Sequence, residues 1–264
     1  MCYSSQQTGR SENCILHTIY DKIWIRFMNN RAVGNSPYRP THFEHFANCV
    51  THGLWIIPSI IACLIMLQQA YSYQQQFSAL VYCTALIALF TVSTTFHTLA
   101  WSGKAKNLFF FFHVGDRAII YLFIAASYTP WLYLKDMGFL GIHMRWLVWV
   151  FALLGIMYNY MFYEKYKKLE TLFYILLGIC PSVSLLSMRS PGDGLQEVAF
   201  GGLIYIVGVI FFKSDGVIPF AHAIWHLFVA AGAFFHFYAI STYLMGPGPT
   251  VHPDNTLGVE SAEL

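Results

Sequence analysis

The sequence predicts an all-α protein, a seven-transmembrane helix bundle with a cytosolic N-terminus and a lumenal or extracellular C-terminus. Three observations predict it. Hydrophobic residues make up 56% of the 264 and charged residues only 11%, where a soluble domain carries roughly a quarter charged. Seven stretches approach the ~20 mostly apolar residues that cross a bilayer. The Lys and Arg residues fall very unevenly on the two sides of those stretches.

Residues 1–44 read as a cytosolic N-terminal segment, 45–244 as the seven-transmembrane domain and 245–264 as a flexible lumenal or extracellular tail. The first 40 residues hold no apolar core long enough for a signal peptide, so the first span is expected to act as an uncleaved anchor. The spans are Phe46–Leu67, Phe77–Ala100, Leu108–Leu134, His143–Tyr163, Leu169–Met188, Val198–Phe212 and Val217–Tyr243. The sixth is the shortest. The connections are brief and polar, as in Lys213-Ser214-Asp215-Gly216. Pro130, Pro181 and Pro219 mark kinks or helix starts, and Gly201, Gly202 and Gly208 permit close helix approach. Aromatics are 18% of the chain, many near span ends, where interfacial belts form.

With the N-terminus inside, every Lys and Arg except Lys135, Arg145 and Arg189 lies in an inside segment. The tail beyond Tyr243 holds Asp254, Glu260 and Glu263 but no Lys or Arg. The six cysteines include no C-x-x-C pair, which argues against a disulfide framework and against a cysteine zinc site. A formal net charge of +2 gives no basic excess for nucleic acid, which is excluded as a partner. The basic segment Ile23–Arg39, with Trp24 and Phe27, suits an anionic lipid surface or a cytosolic signalling partner, or serves simply as a positive-inside anchor.

Ionisable groups inside a bilayer are expensive, and they mark chemistry, ion binding or proton relays. His222-x-x-x-His226 sets two imidazoles on one face of the seventh span. Ser93-x-x-x-His97 repeats the spacing in the second, and Asp116 opens the third. The positive-inside topology puts His97, Asp116, His222 and His226 in the same, cytosolic leaflet. Three imidazoles there suit a zinc ion (Zn2+) with an open position, so His97, His222 and His226 are the candidate metal ligands. Asp116 is the candidate base or water-orienting carboxylate, with Arg117 free to snorkel to the surface. Ser93 would hydrogen-bond water or substrate one turn deeper, or pack between helices. Glu44, Asn48 and His52 form one polar stripe on the first span. It serves either the outer ring nitrogens of the ligands or helix–helix contact alone. His113 reads as an interfacial histidine, and His143 and His236 fall toward the opposite face.

Ser93-x-x-x-His97, Asp116-Arg117 and His222-x-x-x-His226, with Glu44, Asn48 and Thr51-His52, resemble the progestin and adipoQ receptor family and its relatives, the bacterial hemolysin III-like proteins. His113-Val-Gly-Asp-Arg117, Ala125-Ala-Ser-Tyr-Thr-Pro-Trp131 and the run Phe211 to His226 look most like the branch of the monocyte to macrophage differentiation factor. The resemblance implies seven helices, a cytosolic N-terminus and zinc on His97, His222 and His226. It also implies hydrolysis of a ceramide-like lipid amide as an activity, Golgi or endosomal membranes, and modulation of Ras–ERK signalling. Two other readings stand beside a zinc-dependent hydrolase. One is a non-catalytic scaffold or receptor with structural zinc. The other is an ion or proton transporter, which the confinement of polar groups to one leaflet disfavours.

Overall fold

Eight helices fill the described residues, which are 26–34, 38–162, 165–188 and 194–247 of a computed structural model. Most of the expected N-terminal segment, up to residue 25, and the tail from 248 lie outside them. In chain order the helices are α1 (His42–Gln69), α2 (Tyr73–Ser102), α3 (Lys106–Leu134), α4 (Gly138–Met161), α5 (Lys167–Ile179), α6 (Ser182–Leu185), α7 (Leu195–Phe212) and α8 (Ala221–Tyr243). With α5 and α6 joined as one, they provide seven helices long and apolar enough to cross a membrane.

Local chemistry sets the ends. Thr41 caps α1 in a reciprocal capping box: its hydroxyl accepts from Glu44 N at 3.2 Å, and its own N–H donates to Glu44 Oε2 at 2.7 Å. Ser72 and Gln75 make the same box at the start of α2. Gly103 ends α2 in the left-handed conformation, at φ 64°. Pro181 interrupts the fifth span, because its ring cannot continue the hydrogen-bond ladder, and it splits α5 from α6. The seventh span, α8, starts at Ala221, not at Val217. Pro219 and the positive φ of Phe220 hold Val217–Phe220 in turns.

Sequential neighbours α1–α2, α2–α3, α3–α4 and α7–α8 pack side by side, and α1 also meets α8. That last contact brings the first and last helices together. α8 is the innermost helix, and small residues make this possible: Ala221, Ala223, Ala230, Gly232, Ala233 and Ala239 are all buried. A Cβ on Gly208 would stand 2.7 Å from Phe228 Cβ and 2.8 Å from the Trp225 ring. Gly208 is therefore the position that lets α7 lie against α8. Gly201 serves likewise against His236, whereas nothing lies within 4 Å of a Cβ on Gly202. Leu54, Ile57, Leu64, Phe111, Trp146 and Leu153 face outward, which suits hydrocarbon surroundings.

Arg117 does not snorkel. It pairs with Glu170 of α5 at 3.2 Å, and both side chains are largely buried. Tyr174 donates to Glu170 Oε1 at 2.9 Å. The guanidinium finds a carboxylate inside the bundle, so it has no need to reach the surface. The pair ties α3 to α5 just beside Asp116.

Candidate metal centre

α1 and α8 begin, and α2 ends, at the same end of the bundle. His97 and His226, each five residues in from its helix end, therefore meet, with His222 one turn nearer the end of the bundle. His222 and His226, one turn apart on α8, have ring centroids 4.7 Å apart. His97 of α2 stands 5.1 Å from His222 and 4.9 Å from His226, edge-on to both. One ring nitrogen from each of the three lies within 4.8 Å of the others. α2 and α8 meet here through side chains. Deeper in the bundle Tyr82 donates to the carbonyl of Ala233 at 3.1 Å.

The nitrogens are not equivalent. Thr51 Oγ1 lies 3.0 Å from His226 Nδ1 and 2.8 Å from the carbonyl of Ala47. A hydroxyl has one proton. With that proton on the Ala47 carbonyl, the oxygen accepts from His226 Nδ1–H and leaves the Nε2 lone pair free. His222 Nδ1 faces the Asp215 carboxylate at 3.8 Å. Nε2 of His222 and Nε2 of His97 are both buried without a hydrogen-bond partner. Buried polar atoms are nearly always satisfied, so two such orphans in one cluster demand an explanation.

A cation provides one. Zinc binds imidazole nitrogen at ~2.1 Å, which sets two ligands on one ion about 3.4 Å apart at a tetrahedral angle. From the 4.8 Å bound, the rings need draw in by at most about 1.4 Å. The donor set, three neutral imidazoles with no thiolate, fits the ion expected of it.

Asp116 enters from α3, beside Ser93 and within electrostatic reach of His222. The Ser93 hydroxyl is buried against the Asp116 carboxylate. All five expected residues, Ser93, His97, Asp116, His222 and His226, thus share one end of the bundle. The first-span stripe divides. His52 stacks on His226 at 3.7 Å. Asn48 is buried nearby with its amide unpaired. Glu44 directs its carboxylate to the Thr41 cap and to Tyr38, whose hydroxyl donates at 2.9 Å. His113 stacks on Phe96 at 4.8 Å, His143 is exposed on α4, and His236 lies by Gly201. None of these three joins the cluster.

Two contacts of the candidate ligands were not read from the sequence. Thr51 could have been found, since it lies on the same face of α1 as Asn48. Asp215 could not, because the left-handed turn at Phe220 breaks the helical periodicity that would have linked it to His222.

Above this end lies a short strap. Phe27 packs against Phe43 and Phe220, with ring centroids 5.4 and 6.0 Å away. Asn29 N donates to the Tyr38 hydroxyl at 3.0 Å, and burial holds the Tyr38 phenol above its usual range. The backbone of Arg31 crosses Gly216 so closely that a Cβ there would lie 2.5 Å from Arg31 Cα.

The family model described as "Haemolysin-III related" matches residues 41–237. The chain belongs to the haemolysin-III-related family. Human monocyte to macrophage differentiation factor is 49% identical to it over 220 residues, covering 83% of this chain and 92% of that protein. Hemolysin-3 of Bacillus cereus is 34% identical, covering 78% and 95%. The Hemolysin-3 homolog of Bacillus subtilis is 32% identical, covering 76% and 94%. This haemolysin-III-related chain is an integral multi-pass membrane protein. The family match begins at the Thr41 cap of α1 and runs to Phe237 of α8, so it takes in every candidate residue named above.

Proposed function

We propose that His97, His222 and His226 hold a zinc ion and that the protein is a membrane hydrolase of a lipid amide resembling ceramide, acting in intracellular signalling. One observation carries the reading: two buried, unpartnered Nε2 atoms, with the Nε2 that Thr51 leaves free on His226, in a cluster whose ligating nitrogens lie within 4.8 Å. Bound zinc supplies Lewis acidity and lowers the pKa of water toward ~7. Asp116 would take up a proton at its carboxylate, a general-base role, and orient the attacking water by hydrogen bonding. Ser93, buried beside the Asp116 carboxylate, would turn its hydroxyl to donate to the scissile carbonyl oxygen as charge develops there. The apolar exterior suits lateral entry of a lipid, with its head group at the histidine end. The positive-inside rule assigns that end to the cytosol. Likeness to the differentiation-factor branch extends the reading to Golgi or endosomal membranes and to Ras–ERK signalling.

The deep burial of His97 and His226 also favours a second reading, a scaffold in which zinc staples α2 to α8. Purified protein separates the two. On the hydrolase reading, elemental analysis finds about one zinc per chain, and His97→Ala, His222→Ala and His226→Ala each lose it. Ceramide in mixed micelles is then cleaved by the wild type and spared by Asp116→Asn. A zinc-loaded wild type that cleaves no lipid, with signalling intact in Asp116→Asn, leaves the scaffold. Activity in a zinc-free triple mutant ends both.

A further inference from the structure

A histidine binds a metal well only when its other ring nitrogen is anchored, because that contact fixes both tautomer and ring plane. At this site the anchors come from two places outside the metal motif. Thr51 is on α1, and its hydroxyl is locked by the Ala47 carbonyl at 2.8 Å before it meets His226 Nδ1 at 3.0 Å. The oxygen cannot offer its proton to both, so the geometry selects Nδ1–H on His226. Asp215 is in the turn before α8, and its carboxylate stands 3.8 Å from His222 Nδ1. That distance is longer than a hydrogen bond but close enough for a negative charge to favour a proton on the facing nitrogen. The turn is itself held. Gly216 follows at φ +74°, pressed against the backbone of Arg31, and there is no room for a side chain between them. Asp215 is thus clamped between the strap and the first turn of α8.

We propose that Thr51 and Asp215 are positioning residues that lock His226 and His222 as Nδ1–H tautomers and so present both Nε2 atoms to one metal ion. The inference rests on the zinc reading above and adds a division of labour to it. The ligands of α8 are set up from α1 on one side and from the strap-held turn on the other. His97 completes the set from α2.

The experiment uses the full chain in detergent and zinc itself, titrated against a competing chelator. Thr51→Val removes the acceptor at nearly constant volume, and Asp215→Asn removes the charge at constant shape. Each is expected to weaken zinc binding roughly tenfold to a hundredfold. Thr51→Ser restores the acceptor and is expected to bind as the wild type does. A merely structural role would lower the thermal stability of the zinc-free protein, and the expectation is that neither variant does so. Imidazole ¹⁵N shifts supply a direct readout. In zinc-free wild type His226 reports the Nδ1–H form, and in Thr51→Val it reports a mixture. Wild-type affinity in both Thr51→Val and Asp215→Asn would overturn the inference and leave the zinc reading standing. A wild type that takes up no zinc would overturn both together.

Discussion

His52 lies flat against His226, with ring centroids 3.7 Å apart and planes 17° from parallel. The stack presses the His226 ring from the face, while Thr51, the preceding residue, holds it by its edge. Adjacent residues of one helix thereby restrain two different motions of one imidazole.

The stack predicts different outcomes for two substitutions. His52→Phe keeps a flat ring and should leave zinc affinity within about threefold. His52→Ala removes the support and should weaken binding roughly tenfold, as losses of outer contacts to ligating histidines do. Competition titration of the purified variants measures both.

Asp116 is expected to matter for turnover and not for binding. Asp116→Asn should retain zinc at wild-type stoichiometry and lose about 10²–10⁴ in rate, the range for a removed general base. Lipid hydrolysis assayed beside elemental analysis of the same sample checks it.

The Arg117–Glu170 pair joins α3 to α5 where both side chains are largely buried. Glu170→Ala removes the α5 carboxylate from the Arg117 guanidinium, and removing one partner of a buried pair costs about 3–5 kcal/mol. Here the lower end is expected, because some solvent reaches Arg117. The double variant Arg117→Met with Glu170→Leu should be more stable than Glu170→Ala alone. Thermal unfolding in detergent decides the order.

Helix packing gives a paired prediction on neighbouring glycines. Gly208→Val would drive its Cβ to 2.7 Å from Phe228 Cβ, and overpacking of this kind costs about 1–3 kcal/mol. A Cβ on Gly202 meets nothing within 4 Å, so Gly202→Ala should be neutral. Monodisperse yield after extraction and the unfolding midpoint report the contrast.

Gly216 tests the strap. Gly216→Ala must adopt φ +74° and push against the Arg31 backbone, so it should free the 26–34 segment. Faster proteolysis of that segment, with α2 to α7 unchanged in protection, is the expected result.

The helices were legible in the sequence because length and hydropathy dominate inside a bilayer. The ends at Leu134, Phe212 and Tyr243 agree with the structure to the residue. The start of the last helix moved because proline and a left-handed backbone outweigh the apolar character of Val217 and Ile218. The i,i+4 histidines were legible from spacing alone. Their convergence on His97 needed the structure, since it depends on α1 and α8 closing the ring. Arg117 was misread because its partner, Glu170, lies on a helix two spans away and no local spacing connects them. Asp215 escaped for a related reason: its relation to His222 runs through a turn, where periodicity carries no information.

The candidate ligands lie far apart along the chain, one on α2 and two on α8, the last of the described helices to be synthesised. A nascent chain with its first six spans inserted can present only His97, and a lone imidazole holds zinc weakly. On the zinc reading, metal capture therefore waits until α8 has reached its seat beside α1.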